Sequence, residues 1–171
     1  MSASAVRIRL VRNQFDAFGG GRDPDHIQRI LKDSRIGTFG ALALLFSVLL
    51  RWQAIAETRS HALEALVAAG ALSRGAQVGL VWIARPAGEG SGKLFALSLN
   101  TPRALGALGL TALFAAPLGV LALPAIVGSA GLTVIARDYF ESRLGGVSGD
   151  CCGALSQMVE CLVLILCASI W

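Results

Sequence analysis

The sequence predicts an all-α fold, a polytopic integral membrane bundle of about five transmembrane helices. Three observations lead there. Hydrophobic residues make up 54% of the 171 and charged residues only 15%, with a mean hydropathy of +0.65. A soluble domain of this length needs more polar surface to cover its core. Residues 104–136 run for 33 positions without a charge, which has no natural place in a small soluble protein. Finally, the basic residues cluster between the apolar stretches rather than spreading evenly.

The elements follow in chain order. Residues 1–35 are polar and Arg-rich, without the apolar core of a cleavable signal peptide, and read as a cytoplasmic N-terminal segment. Within them "DPDHIQRILKDSRIGTFG" opens on Asp-Pro and spaces Ile27, Ile30 and Leu31 at helical intervals. This pattern predicts a short amphipathic helix at the membrane surface. The transmembrane domain occupies 36–171. A first span covers 36–56, since a bilayer core takes about 20 apolar residues. A second covers 62–84 and carries Glu64 and Arg74. The 33-residue run is too long for one upright helix, and Pro117, Gly119 and Pro124 offer a reversal. It divides into spans 104–120 and 124–136, turning near Leu121 to Pro124. The last span, 154–171, ends on an interfacial Trp171.

With five spans, segments 1–35, 85–103 and 137–153 fall on one side. They hold twelve of the fifteen basic residues, so that face is cytoplasmic by the positive-inside rule. A multi-pass membrane protein follows, with lipid as its solvent and no nucleic-acid partner.

The same face carries three glycine-rich stretches: "DAFGGGRD" (16–23), "ARPAGEGSGK" (84–93) and "RLGGVSGDCCGA" (143–154). Glycine lets backbone N–H groups approach an anion, and arginine pairs with phosphate. Carboxylates repel phosphate unless a divalent cation lies between them. Finding both types on one face points to metal-assisted phosphoryl chemistry. Within the spans Arg74, Gln157 and Glu160 are out of place, because a charge at helix depth faces a bundle interior or an aqueous cavity. An ion pair or snorkelling would account for Glu160 and Arg74, and snorkelling for Arg51, beside Trp52. Cys151 and Cys152 are adjacent and fit no zinc spacing. Cys161 and Cys167 read as small apolar residues, and His26 and His61 as isolated surface residues.

The order of these motifs resembles the cobalamin synthase family, the membrane-bound adenosylcobinamide-GDP ribazoletransferases. The resemblance rests on "KDSRIGTFG" and "RLGGVSGD", with "DAFGGGRD", "ALSRGA" and "ARPAGEGSG" in sequence, and runs from about Phe15 to the C-terminus. It implies transfer of adenosylcobinamide phosphate from adenosylcobinamide-GDP to α-ribazole or α-ribazole 5′-phosphate, with release of GMP and dependence on Mg²⁺. It further implies Asp16, Asp33 and Asp150 as metal-facing residues. Asp33, Ser34, Arg35 and Asp150 become the catalytic set, and Arg74, Arg85, Arg143, Gly145 and Gly146 the phosphate-binding set. Partners would be those substrates, a second copy of the chain, or other corrinoid-assembly enzymes.

One departure stands out. The family's acidic motif has two aspartates before the one matched by Asp16, and these positions hold Asn13 and Arg9. The family's N-terminal spans have no counterpart in the stretch before Asn13, as a truncated gene, misassigned start or frameshift would produce. A cation in place of an anionic ligand inverts the local field, so weaker Mg²⁺ binding and impaired turnover are expected. The competing reading is a non-catalytic membrane protein, corrinoid-binding or transporter-like. A CDP-alcohol phosphotransferase is disfavoured because its DGxxAR…GxxxD…D pattern is absent.

Overall fold

The computed structural model describes residues 38–86 and 99–171. Five α-helices account for nearly all of them: α1 Thr38–Thr58, α2 Ala62–Ile83, α3 Thr101–Ala115, α4 Ala122–Leu144 and α5 Gly149–Ile170. There is no strand among the described residues, only one isolated bridge between Pro86 and Val147. The protein is an all-α membrane bundle. Three uninterrupted helical runs, 40–83, 101–144 and 149–170, are long and apolar enough to cross a membrane.

The first two runs fold back on themselves. Glu160 reaches both Arg51 of α1 and Ser73 of α2, at 3.2 and 3.1 Å. In a straight helix those two residues would stand about 33 Å apart. The chain therefore reverses at the 3₁₀ turn Arg59–His61, where Arg59 takes a positive φ of 46°. The second run behaves alike. A Cβ on Gly75 would meet Thr111, and one on Gly79, a single turn on, would meet Thr133. Thr111 and Thr133 can flank adjacent turns of α2 only if α3 and α4 fold against each other.

This second reversal is displaced from its expected position. The break is the 3₁₀ segment Ala116–Leu121, and its pivot is Gly119, with φ 59° and ψ −125°. A side chain resists that conformation and glycine does not. Pro124, expected at the turn, lies inside the first turn of α4. Its missing N–H costs nothing there, since the first four helical N–H groups have no intrahelical acceptor. Helices accordingly replace the expected limits 104–120 and 124–136, and α4 runs past Ala136 into a charged end.

Residues 50–171 form one compact unit, with α2 packed against α3, α4 and α5. The face of α2 that makes this possible is built of small residues: Ala65, Ala68, Ala69, Gly75 and Ala76 are all buried. With no water to exclude in lipid, helices associate through such close approach. The α5 counterface buries Gly153, Ala154, Leu155, Val159 and Val163. Large apolar side chains of α3 and α4, such as Leu113, Val127 and Ile135, point outward, as they should where lipid is the solvent. At the far end from the charged loops, the His61 ring lies 4.6 Å from that of Trp171, and His61 is exposed, the surface residue its sequence setting suggested.

Candidate active face and the polar seam beneath it

The α2–α5 pair is antiparallel, as the contacts Ser73–Glu160 and Gln77–Cys152 require. The contacts Gly79–Thr133 and Arg85–Glu141 set α4 parallel to α2, so α3, folded back on α4, runs antiparallel to α2. The C-terminal end of α2 therefore meets the start of α3, the C-terminal end of α4 and the start of α5. Arg85, Arg103, Arg137, Glu141, Arg143 and Asp150 gather at this one end.

Backbone pairing fixes the meeting point. The Val147 N–H donates to the Arg85 carbonyl at 2.8 Å. The Arg85 N–H donates to Glu141 Oε1, also at 2.8 Å. Two of the three glycine-rich stretches singled out in the sequence thus touch directly. Val81, Ala84, Arg85, Pro86, Ser148 and Cys152 line a small depression between them. Gly145 ends α4 in the left-handed conformation, φ 72°, with its N–H on the Glu141 carbonyl at 3.0 Å. A glycine is the ordinary solution there. Gly146 and Val147 are buried behind it. Asp150 follows in the first turn of α5 and is half-buried, where the helix dipole favours a carboxylate. Arg143 lies 5.8 Å from the Tyr139 ring centre.

Glu141 was not singled out in the sequence. Four charges lie between Arg137 and Arg143, beyond the apolar stretch ending at Ala136, and such a run reads as a solvated helix end. Arg137 approaches Glu141 at 3.5 Å and Asp138 at 3.7 Å. The Arg85 N–H above all holds the Glu141 carboxyl below its ordinary range; desolvation opposes it, and the nearby Arg137 charge adds to the lowering.

A polar seam runs from this face into the bundle between α2 and α5. Gln77 donates to the Cys152 carbonyl at 3.2 Å and accepts from Arg74 at the same distance. Arg74 is itself exposed and stands about three turns, ~16 Å, from Arg85 along the helix. The two belong to one seam and not to one contact. Deeper still, Glu160 holds Arg51 and Ser73, and Arg51 also donates to the side chain and carbonyl of Gln157. Arg51, expected to snorkel, is paired instead. Its partner lies on a helix distant in sequence, which local spacing cannot show. The ion pair anticipated for Glu160 exists, with Arg51 and not Arg74.

A groove of about 360 Å³ lies elsewhere, between α2, α3 and α4. Its hydroxyls at Thr111, Ser129 and Thr133 all bond carbonyls one turn back on their own helices, leaving it apolar toward an occupant. No charged residue is among those that line it.

Asp16, Asp33, Ser34 and Arg35 lie outside the described residues, as do the amphipathic helix and residues 87–98. Among the described residues no three His, Cys, Asp or Glu gather as a metal cage. Asp138 and Glu141 face Arg137 at this end, and Asp150 offers a further carboxylate in the first turn of α5. One or two carboxylates with substrate phosphates are what Mg²⁺, which keeps several waters, ordinarily takes.

A family model described as cobalamin-5-phosphate synthase matches residues 14–168. Several curated proteins, each named adenosylcobinamide-GDP ribazoletransferase, are similar over most of the chain. That of Ralstonia pickettii (strain 12J) is 38% identical over 156 residues, covering 87% of this chain and 60% of its own length. That of Rhizobium meliloti (strain 1021) is 40% identical over 162 residues, 87% and 62%. The Syntrophobacter fumaroxidans protein is 38% identical over 165 residues, 94% and 66%. The chain thus spans about three-fifths of the length of the first of these relatives. No solved structure matches it.

Proposed function

We propose a function from one premise: this chain belongs to the cobalamin-5-phosphate synthase family. The function is transfer of adenosylcobinamide phosphate from adenosylcobinamide-GDP to α-ribazole or its 5′-phosphate, releasing GMP. The observation that carries it is the backbone junction of Arg85 with Val147, which puts a phosphate-pairing arginine beside the turn leading to Asp150.

The reaction forms a P–O bond to the ribazole hydroxyl oxygen and breaks the bond to the oxygen that leaves with GMP; the hydroxyl proton is released. Little covalent help is needed. Most of the work is placing the pyrophosphate and neutralising its charge. Arg85 and Arg143 take phosphate oxygens at the face, and Gly145 and Gly146 let the α4–α5 turn come close. Arg74 carries positive charge into the seam below. Asp150, joined by Asp16 and Asp33, would hold Mg²⁺, which when bound supplies charge neutralisation at the phosphates. Asp33, Ser34 and Arg35 complete the catalytic set. The clustering of basic residues supports a cytoplasmic position for this face in a bacterial inner-membrane protein.

The test is GMP release by the purified chain in detergent, given adenosylcobinamide-GDP, α-ribazole and Mg²⁺. Ribazole-dependent release is expected. Arg85→Ala should lower kcat/KM about 10- to 100-fold, the scale of one lost charge-assisted bond. Corrinoid binding without GMP release would support the non-catalytic reading and overturn this one.

A further inference from the structure

We propose that Glu141 is the positioning residue of the active face, the side chain that sets where Arg85 stands. The proposal rests on the functional reading above and adds a residue to it. Arg85 is the second residue of the glycine-rich stretch 84–93, beyond the end of α2 at Ile83, and its N–H is served by no helical acceptor. Glu141, 56 residues later on α4, supplies one at 2.8 Å. The Arg85 carbonyl is taken at the same distance by Val147. Both polar groups of one peptide-flanked residue are therefore held, from two different elements, and the bridge Pro86–Val147 continues the pairing.

The residue doing this is itself held. Arg137, one turn earlier on α4, lies 3.5 Å from the same carboxylate oxygen. The Glu141 carbonyl accepts the Gly145 N–H that closes α4. Glu141 thus sits where α4 ends, the α4–α5 turn begins and the α2 exit arrives. Its side chain ties the last of these to the first two. Without it, the Arg85 backbone keeps the Val147 bond alone and can swing about it. The guanidinium then loses its fixed approach to a phosphate, while the chemistry on the phosphorus is untouched. The expected signature is in substrate affinity, not turnover.

The experiment compares Glu141→Ala with Glu141→Gln, whose amide oxygen can still accept the Arg85 N–H. Glu141→Ala should raise KM for adenosylcobinamide-GDP about tenfold, a scale set by the loss of one well-placed hydrogen bond, with kcat within about threefold. Glu141→Gln should restore KM to within about threefold of the parent. In an Arg85→Ala background, Glu141→Ala should add less than about twofold, since residues acting as one unit are not additive. Amide exchange at Arg85, followed by NMR in micelles, should lose protection in Glu141→Ala and keep it in Glu141→Gln. Equal damage from both variants, full additivity with Arg85→Ala, or unchanged protection at Arg85 would overturn the proposal. A parent chain that releases no GMP would overturn the functional reading alone, because amide exchange needs no turnover and still decides the role of Glu141. Should Glu141→Ala fail to fold, Glu141→Asp, one methylene short of the bond, takes its place in every arm.

Discussion

Replacing Glu160 by methionine removes the charge that holds Arg51 in the bundle. The two groups stand 3.2 Å apart, with side chains 25% and 20% exposed. Taking about 4 Å between charge centres and an effective dielectric near 20, their attraction is ~4 kcal/mol. Partial solvent access reduces this, and Arg51 retains Gln157 in both proteins. A loss of about 3 kcal/mol remains, at the lower end of what breaking a buried pair costs. That shifts the folding equilibrium about 150-fold. Arg51→Met should cost a similar amount, since Glu160 then keeps only the Ser73 hydroxyl. The double variant Arg51→Met/Glu160→Met leaves no stranded charge and should be less destabilised than either single. The assay is reversible unfolding in mixed detergent micelles, with all four proteins titrated together to close the cycle. Single variants within ~0.5 kcal/mol of the parent, or a double variant equal to their sum, would refute the pairing as the energetic tie between α1 and α5.

Two further outcomes follow from separate contacts. Gly75→Ala would place a Cβ 2.6 Å from Thr111 Cγ2 and 3.0 Å from its Cβ. Threonine is stiff at χ1, so α2 and α3 must part, costing about 1–3 kcal/mol in the same unfolding assay; Thr111→Ala should recover part of that loss. Lowering pH should loosen the active face through Glu141. Its carboxyl titrates below its ordinary value of 4.5, so its contribution is full above that value and disappears as pH falls through the depressed one. Protection of the Arg85 amide should fall over that acid range, and Glu141→Gln should not show the step.

The helices were legible because lipid imposes a simple rule: an apolar run of sufficient length must satisfy its backbone internally. The reversal inside residues 104–136 was legible too, from length alone. Its position was not, because Pro117, Gly119 and Pro124 all signal a break. Only the positive φ demanded at 119 separates the pivot from a proline tolerated in a first helical turn. Among the candidate site residues, Arg85, Gly145, Gly146 and Asp150 were readable as motif, and the bundle brings their segments together. Glu141 and Gln77 were not. Each acts by reaching a backbone group 56 or 75 residues away, and nothing in the local pattern marks a side chain for such a bond. Arg51 shows the same limit in reverse: its neighbour Trp52 suggested an interface, whereas its partner comes from another helix.

The distance in sequence between Arg51 and Glu160 also sets a timetable for biogenesis. At ~5–20 residues per second, roughly 5–20 seconds pass between synthesis of the arginine and arrival of the carboxylate that neutralises it. During that interval α1 must be inserted with an unpaired guanidinium, a burden of about 2.5–3.5 kcal/mol at a helix centre. The Arg51 end of α1 therefore gains its pairing in the bundle only when α5 emerges. Until then the nascent chain depends on the insertion machinery, or on water beside it, to keep Arg51 solvated.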